Sequence, residues 1–339
     1  MTVARTTRAI CATFIALLAG SAAQADDFYK NRQIVLLVGN SAGTAYDASA
    51  RLVARHFGRH IPGVPAIIVQ NMPGATGLIA ANHLSNVAPR DGSVIANAHQ
   101  SLPMRQLLGD SAVQYDAAQF QWIGSPEVSN QTIAVWHTAP VRSLEDVKTR
   151  EIIMGGTTPR ADSSIVLVLA NKLLGTRFKI IHGYQANHID VAMERGEVQG
   201  RTVIWNGLKA TKGDWLRDNK VRILAQLGVK REAELPDVPL MQELATNEDA
   251  KRVIELFSAQ LGLGRPLYAA AGVPRERITT LRQAFEDMTR APEFLEDARR
   301  ASFEVQLTTG AELEAIARTI MTTPADLIGK VGLTQYLRD

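Results

Sequence analysis

The sequence predicts an α/β chain folded as two lobes, each a mainly parallel sheet flanked by helices, with two hinge crossings between them. Three observations carry this. Strand-like apolar runs alternate with helical patterns along most of the chain, the rhythm of βα units. At 339 residues the chain exceeds what one core usually covers. Its last quarter is helical and too poor in strands to stand alone, so it is expected to return to the first sheet. The expected boundaries are 26–124 with 261–339 for one lobe and 125–260 for the other.

Residues 1–25 read as an export signal. Arg5 and Arg8 precede Ala9 to Gly20, an apolar run of twelve residues that is too short to span a bilayer as a helix. Ala23-Gln24-Ala25 supplies the small-x-small cleavage pattern, so the mature chain is expected to begin at Asp26. Removing these 25 of 339 residues leaves 314. Cys11, the single cysteine, lies inside the apolar run and is not placed for lipidation. The remainder then has neither thiol nor disulfide and depends on core burial. This fits a large bacterial periplasmic protein.

The formal charge of +3 falls to +1 without Arg5 and Arg8, which argues against a nucleic-acid footprint. The one basic stripe, Arg51, Arg55 and Arg59, follows i, i+4, i+8 spacing and reads as a solvated helix face, with Leu52, Val53 and Phe57 on the buried side. Apolar content of 46% and charged content of 21% are ordinary for a globular chain.

The first series has strands at Ile34–Val38, Ile67–Val69 and Val94–Ala98, separated by helices near Ala48–Phe57 and Leu78–Asn86. Between Ile34 and Leu84 one unit is written twice: apolar strand, glycine loop, helix. The first loop runs Gly39-Asn40-Ser41-Ala42-Gly43-Thr44-Ala45-Tyr46-Asp47; the second is Asn71-Met72-Pro73-Gly74-Ala75-Thr76-Gly77. Helix starts leave N–H groups unpaired and carry partial positive charge. Two glycine loops at the ends of neighbouring parallel strands therefore make an anion site without lysine or arginine.

The second series follows Trp122–Ser125. Its strands are expected near Thr132–Trp136, Ile152–Met154, Phe178–Ile181, Val198–Trp205 and Val221–Gln226. Helices are expected near Ser143–Lys148, Ser163–Leu174 and Ile189–Arg195. In the tail, Pro274 reads as helix position N1, followed by a stripe of Ile278, Leu281, Phe285 and Met288. Thr309-Gly310-Ala311-Glu312 is a capping box before Leu313, Ile316, Ala317 and Ile320. The chain would cross between lobes near Trp122–Ser125 and Ser258–Gly264, a hinged clamshell layout.

Taken in order, these motifs resemble the Bug family, the periplasmic solute-binding proteins of tripartite tricarboxylate transporters. The likeness runs from about Phe28 to about Gly332. Gly43-Thr44-Ala45-Tyr46-Asp47 with Ala50-Arg51 matches the family's first loop, and Asn71-Met72-Pro73-Gly74-Ala75-Thr76-Gly77 matches its second. Ala88-Pro89-Arg90-Asp91-Gly92-Ser93-Val94-Ile95, Leu235-Pro236-Asp237-Val238-Pro239 and Gly272-Val273-Pro274 follow. Gly155 to Ser163 stands at its third, Gly-Ser-rich loop, Tyr184 at its Pro-Tyr-x-Gly, and Gly196-Glu197-Val198 at a later turn. The chain departs from the pattern at Asn40–Thr44, at Arg160, and at Gln185 and Ala186. The resemblance implies a type II-like periplasmic-binding-protein clamshell that takes a small carboxylate to an inner-membrane permease, as a monomer, with no cofactor, metal or catalytic residue.

Each expected ligand residue has a plainer alternative. Ser41, Gly43, Thr44 and Tyr46 offer donors in the first loop. Asp47 reads as an N-cap or as a contact for a ligand amine. Gly74, Ala75, Thr76 and Gly77 offer backbone amides, or form only a tight turn. His99 and Gln100 end the third strand at the crevice, as ligand groups or loop polarity. Thr157, Thr158 and Ser163 supply hydroxyls, with Ser163 alternatively a cap. Arg160 can clamp a carboxylate or stay solvated, and Tyr184 suits a pocket wall. Arg201, inside a strand, needs a partner: a ligand, or an acid such as Glu194 or Glu197. Trp205, with Asn206, ends that strand in the cleft or the core. His56 and His60 have metal spacing but read as an exposed helix face.

Two other functions compete. Gly39-Asn40-Ser41-Ala42-Gly43 fits a nucleophile elbow, with His182 or His188 as base. Only Asp26 to Gln33 precede its strand, which leaves no room for an oxyanion loop. A ligand-presenting accessory of a membrane sensor kinase would share the binding fold.

Overall fold

In a computed structural model the described residues are 28–97, 99–159, 161–324 and 326–333. The export signal, its cleavage point after Ala25, and Arg160 lie outside them. The strands are β1 (Gln33–Val38), β2 (Ala66–Asn71), β3 (Val94–Asn97), β4 (Gln121–Ser125), β5 (Gln131–Trp136), β6 (Ile152–Gly155), β7 (Phe178–Ile181), β8 (Gly200–Ile204), β9 (Val221–Leu227), β10 (Leu267–Ala269) and β11 (Thr308–Thr309). They form two sheets, β11-β4-β10-β3-β1-β2 and β7-β6-β8-β5-β9.

Both sheets are mixed, which corrects the expectation of mainly parallel ones. In the first, β1 is parallel to β2 and β3, but β10 is antiparallel to β3 and β4, and β11 to β4. In the second, β6 is parallel to β7 and β8, and β5 is antiparallel to β8 and β9. The cause is the crossing. Strands reached through a βα unit run toward the gap between the sheets. Strands β5 and β10 begin at that gap and run away from it.

The helices are α1 (Ala45–Phe57), α2 (Leu78–Asn86), α3 (Leu102–Leu107), α4 (Leu144–Thr149), α5 (Asp162–Leu174), α6 (Ala186–Glu194), α7 (Trp205–Arg217), α8 (Glu248–Gly262), α9 (Arg275–Arg290), α10 (Pro292–Arg300), α11 (Gly310–Thr322) and α12 (Asp326–Lys330). Helix α1 buries Leu52, Val53 and Phe57 and exposes Arg51 and Arg55, and Arg59 is exposed in the 3-10 turn Gly58–His60 that follows it. His56 is buried, however, edge-on to Phe294 and 2.9 Å from Asp297, so the histidine pair is not an exposed face. The tail does return to the first sheet: Ile278, Leu281, Phe285 and Met288 are buried there, and α11 starts with the expected Thr309–Glu312 capping box. Pro274 is the N-cap of α9 rather than N1. Strand β8 stops at Ile204, and Trp205 opens α7.

The crossing is a direct backbone encounter of two remote segments. Ser125 Oγ donates to Glu127 O at 3.0 Å and accepts from Arg265 N at 2.9 Å. Asn97 Nδ2 donates to the carbonyls of Arg265 and Pro266, each at 3.0 Å. Gly264 has φ +60°, and a Cβ there would lie 1.9 Å from Glu127 O. A third segment joins them: Gln306 N donates to Pro126 O at 2.9 Å, and Lys209 of α7 reaches Glu304 at 2.5 Å.

Gly264→Ala combines left-handed backbone with overpacking and is expected to destabilise the protein by about 2–5 kcal/mol. Gly207→Ala is the control. That glycine sits in the first turn of α7 with open space around it, and the change should stabilise by up to about 1 kcal/mol. Denaturant midpoints of the two variants check the contrast; equal midpoints would remove Gly264 from the crossing argument.

Candidate ligand cleft

A cleft of about 610 Å³ opens between the sheets. Tyr46, Thr76, His99 and Gln100 line it from the first sheet's loops. Thr157, Ala161, Asp162, Ser163, Arg201 and Thr202 line it from the second. Glu127, Ser129, Gln131, Leu261, Gly264 and Arg265 come from the crossing segments. The cleft thus lies at the carboxyl ends of the strands that carry βα loops, where open α/β sheets bind ligands.

Its floor is a charged cluster. Arg265 Nη1 lies 2.7 Å from Glu127 Oε2, and its guanidinium sits 5.6 Å from the Tyr46 ring centre. Burial pushes the Glu127 carboxyl up, against the pull of Arg265. The Tyr46 hydroxyl donates to Gly264 O at 3.2 Å and accepts from Gln100 N at 3.4 Å, and burial raises its pKa. Tyr46 therefore ties α1 to the crossing.

His99 and Asp162 face each other across the gap, with Nε2 3.9 Å from the carboxylate. Ser101 N donates to His99 Nδ1 at 3.2 Å, which places the proton of the neutral ring on Nε2. Burial lowers the His99 pKa, partly offset by Asp162. Arg201 pairs with Asp190, not with Glu194 or Glu197. The acid that reaches Arg201 is a different residue of α6 from those the sequence singled out.

The second wall carries the donors. Helix α5 has Ala161 at its N-cap and no side chain capping its first turn. Ala161, Asp162 and Ser163 of that turn line the cleft beside Thr157. Thr202 Oγ1 donates to Ser163 O at 2.7 Å, fixing the helix start against β8.

The first loop is built differently from expectation. Thr44 is the N-cap of α1, its hydroxyl accepting from Asp47 N at 3.4 Å. Asp47 sits at N3, buried. Its carboxylate accepts from Gly43 N at 2.8 Å, Arg51 Nε at 3.0 Å and Asn71 Nδ2 at 2.8 Å. It is a framework residue, since these bonds occupy both oxygens. In the second loop Ala75 and Thr76 have φ +44° and +55°, rare for non-glycine residues and rarest for a β-branched one. Arg105 Nη1 holds this turn by donating to Ala75 O at 2.5 Å.

Of the residues expected in the site, Tyr46, Thr76, His99, Gln100, Thr157, Ser163 and Arg201 come together in the cleft. Ser41, Gly43 and Thr44 are exposed beside it, and Asp47, Gly74, Ala75 and Gly77 shape loops without lining it. Thr158 is exposed on the third loop. Tyr184 and Trp205 pack in a separate apolar cluster, where Trp205 Nε1 donates to Glu234 at 2.7 Å. Glu127, Ser129, Gln131, Asp162 and Arg265 escaped the sequence reading, four of them because only the crossing brings them in. Ser41 makes no hydrogen bond to a histidine among the described residues, and His182 and His188 follow β7 in the other sheet. Among the described residues no group of three or more His, Cys, Asp or Glu could hold a metal ion, and no described helix is long and apolar enough to cross a membrane.

No protein-family model matches the chain. It is 23% identical over 321 residues to a UPF0065 protein of Cupriavidus necator encoded in the gbd 5′ region, covering 92% of this chain and 91% of the relative. It is 27% identical over 295 residues to a UPF0065 protein of Bordetella bronchiseptica, covering 84% and 80%. Among solved structures, a TctC solute-binding protein from Polaromonas superposes with a TM-score of 0.70 at 20% identity, covering 89% of this chain and 99% of that one. The periplasmic binding protein BugD gives 0.59 at 21%, covering 90% and 99%. MatC of Rhodopseudomonas palustris with bound malate gives 0.59 at 16%, covering 88% and 99%. These likenesses bear out the resemblance to the Bug family and the two-lobed fold.

The Asp47 network carries a pH signature. Hydrogen bonds from Arg51, Gly43 and Asn71 hold the carboxyl at about 2, below its ordinary 3.8. A depressed carboxyl stabilises the fold above its unfolded pKa and ceases to as pH falls through the folded one. The stability difference between wild type and Asp47→Asn is expected to be full above pH 3.8 and to shrink toward about pH 2. Denaturant melts across that range check it; a constant difference would mean that the ionised form is not what the network holds.

Proposed function

We propose that the chain is a periplasmic solute-binding protein that closes two lobes on a small organic carboxylate and presents it to a tripartite tricarboxylate-type permease. The observation that carries this is the uncapped start of α5, which opens on the cleft beside the Thr157 and Ser163 hydroxyls. Unpaired amides at a helix start attract an anion. The facing wall supplies Thr76 and Gln100 from the other lobe, so a ligand gains its second set of contacts only when the lobes approach. Binding then favours the closed state by its differential affinity. Neutral donors make a carboxylate exchangeable once a permease separates the lobes. The malate held by MatC is of the same chemical class. Export through a cleaved signal and action as a monomer complete the reading.

A thermal-shift screen of the mature chain over mono-, di- and tricarboxylates should reveal a stabilising ligand, since a compound that binds only the native state raises its midpoint. With that ligand, Thr157→Val and Ser163→Ala should each weaken binding by roughly tenfold, as expected for a lost hydrogen bond to a charged group. Ser41→Ala should leave affinity unchanged. Turnover of a p-nitrophenyl ester that vanishes in Ser41→Ala would replace this reading with a hydrolase.

Small-angle scattering gives a second check. Saturating ligand should reduce the radius of gyration. An unchanged radius together with wild-type affinity in Thr76→Val would assign the site to one lobe.

A further inference from the structure

The cleft has a side chamber with different chemistry. It holds about 200 Å³ and shares Thr76, His99, Gln131, Asp162 and Leu261 with the cleft, so the two are continuous. Beyond that mouth its walls are largely apolar: Met104 of α3, Leu108 just after it, Ile165 and Val166 of α5, and Phe257 of α8. Its one arginine, Arg105, is neutralised by Asp110 at 2.5 Å. Two amides break the apolar lining. Gln131 is 4% exposed and Gln260 6% exposed, and neither side chain makes a hydrogen bond among the described residues.

From this we infer that the ligand is a monocarboxylate with an apolar body about the size of a benzene ring or a six-carbon chain, seated in this chamber. The inference rests on the carboxylate reading above and narrows it. An apolar cavity of roughly 150 Å³ accepts benzene, so the chamber has the right size for such a body. The charges argue the same way. Among the described residues, the cleft's arginines are already matched, Arg265 by Glu127 and Arg201 by Asp190, while Asp162 adds another negative charge. Among the described residues a second or third ligand carboxylate would meet acids and no unmatched cation, and desolvating it would be costly. The buried amides need partners once water leaves the chamber. A ring that carries one hydroxyl satisfies them better than bare hydrocarbon does.

The test is calorimetric titration of the mature chain with acetate, butyrate, hexanoate, octanoate, decanoate, 4-hydroxybenzoate, malonate and citrate. Hexanoate or 4-hydroxybenzoate should bind at least tenfold tighter than acetate, malonate or citrate. Affinity should climb about fourfold per buried methylene up to about six carbons, then level or fall. Leu108→Trp, which fills the chamber from a partly exposed position, should abolish that gain. Tight malonate or citrate binding with no gain for the apolar acids would overturn this inference and leave the carboxylate reading standing. No binding by any of the eight would sink both. Affinity that still climbs at decanoate, or a gain that survives in folded Leu108→Trp, would place the apolar body elsewhere and overturn the inference. Should Leu108→Trp fail to fold, the chain-length series in the wild type decides alone.

Discussion

The contact of the two crossing segments at Ser125 and Gly264 is the constraint from which the rest follows. One serine hydroxyl serves both segments, donating to Glu127 O and accepting from Arg265 N. The carbonyl of Glu127 occupies the space that a Cβ on residue 264 would need. Once the segments meet here, strands leaving the crossing must run away from the gap and strands entering through βα units must run toward it. That one condition makes both sheets mixed and points the loops of β1, β2, β3, β6 and β8 at a common space. It also sets the floor of that space, because the side chains next to the contact are Glu127 and Arg265.

Legibility followed the range of the interaction. Strand β1, strand β2 and helix α2 were readable because apolar runs, glycine loops and helical spacing are local. The Thr309–Glu312 capping box was readable for the same reason, being complete within four residues. Strands β4, β10 and β11 were not read as strands. They are short, and only pairing with remote chain makes them strands, as when Thr308 meets Ser125. Glu127 and Arg265 form an ion pair between segments far apart in sequence, so nothing in either neighbourhood announces the other. Arg201 shows an intermediate case. Its need for an acid was evident from its place in a strand, but which acid of α6 meets it, Asp190 rather than Glu194, is fixed only in the folded chain.

The cleft combines paired charge with unpaired dipoles. Glu127 with Arg265 and Arg201 with Asp190 are closed pairs that shape its walls. The open capacity lies in the first turn of α5 and in hydroxyls. Breaking a buried ion pair to recruit an arginine would leave a charge without a partner, at several kcal/mol. A ligand that uses amides and hydroxyls avoids that penalty and can leave as readily as it arrives. A similar balance acts on His99 opposite Asp162, where burial lowers its pKa against the pull of the carboxylate. The two groups stand 3.9 Å apart and together line the chamber mouth.

The two glycine loops look alike in sequence yet do different work. In the first, Asp47 consumes its acceptors on Gly43, Arg51 and Asn71, and Asn71 belongs to the end of β2. The network therefore joins the first loop to the strand that launches the second. In the second loop, Ala75 and Thr76 hold left-handed backbone, each at a cost of about 1–3 kcal/mol, and Arg105 clamps the turn from α3. Such a turn persists only when its surroundings over-determine it, and here the surroundings are the first loop's network on one side and α3 on the other. Thr76, the most constrained residue of the pair by its β-branch, is the one that lines both the cleft and its side chamber. The first loop is thus scaffold for the second, and α3, through Met104 and Arg105, both clamps the strained turn and walls the chamber, so a change in ligand body and a change in loop conformation act on the same helix.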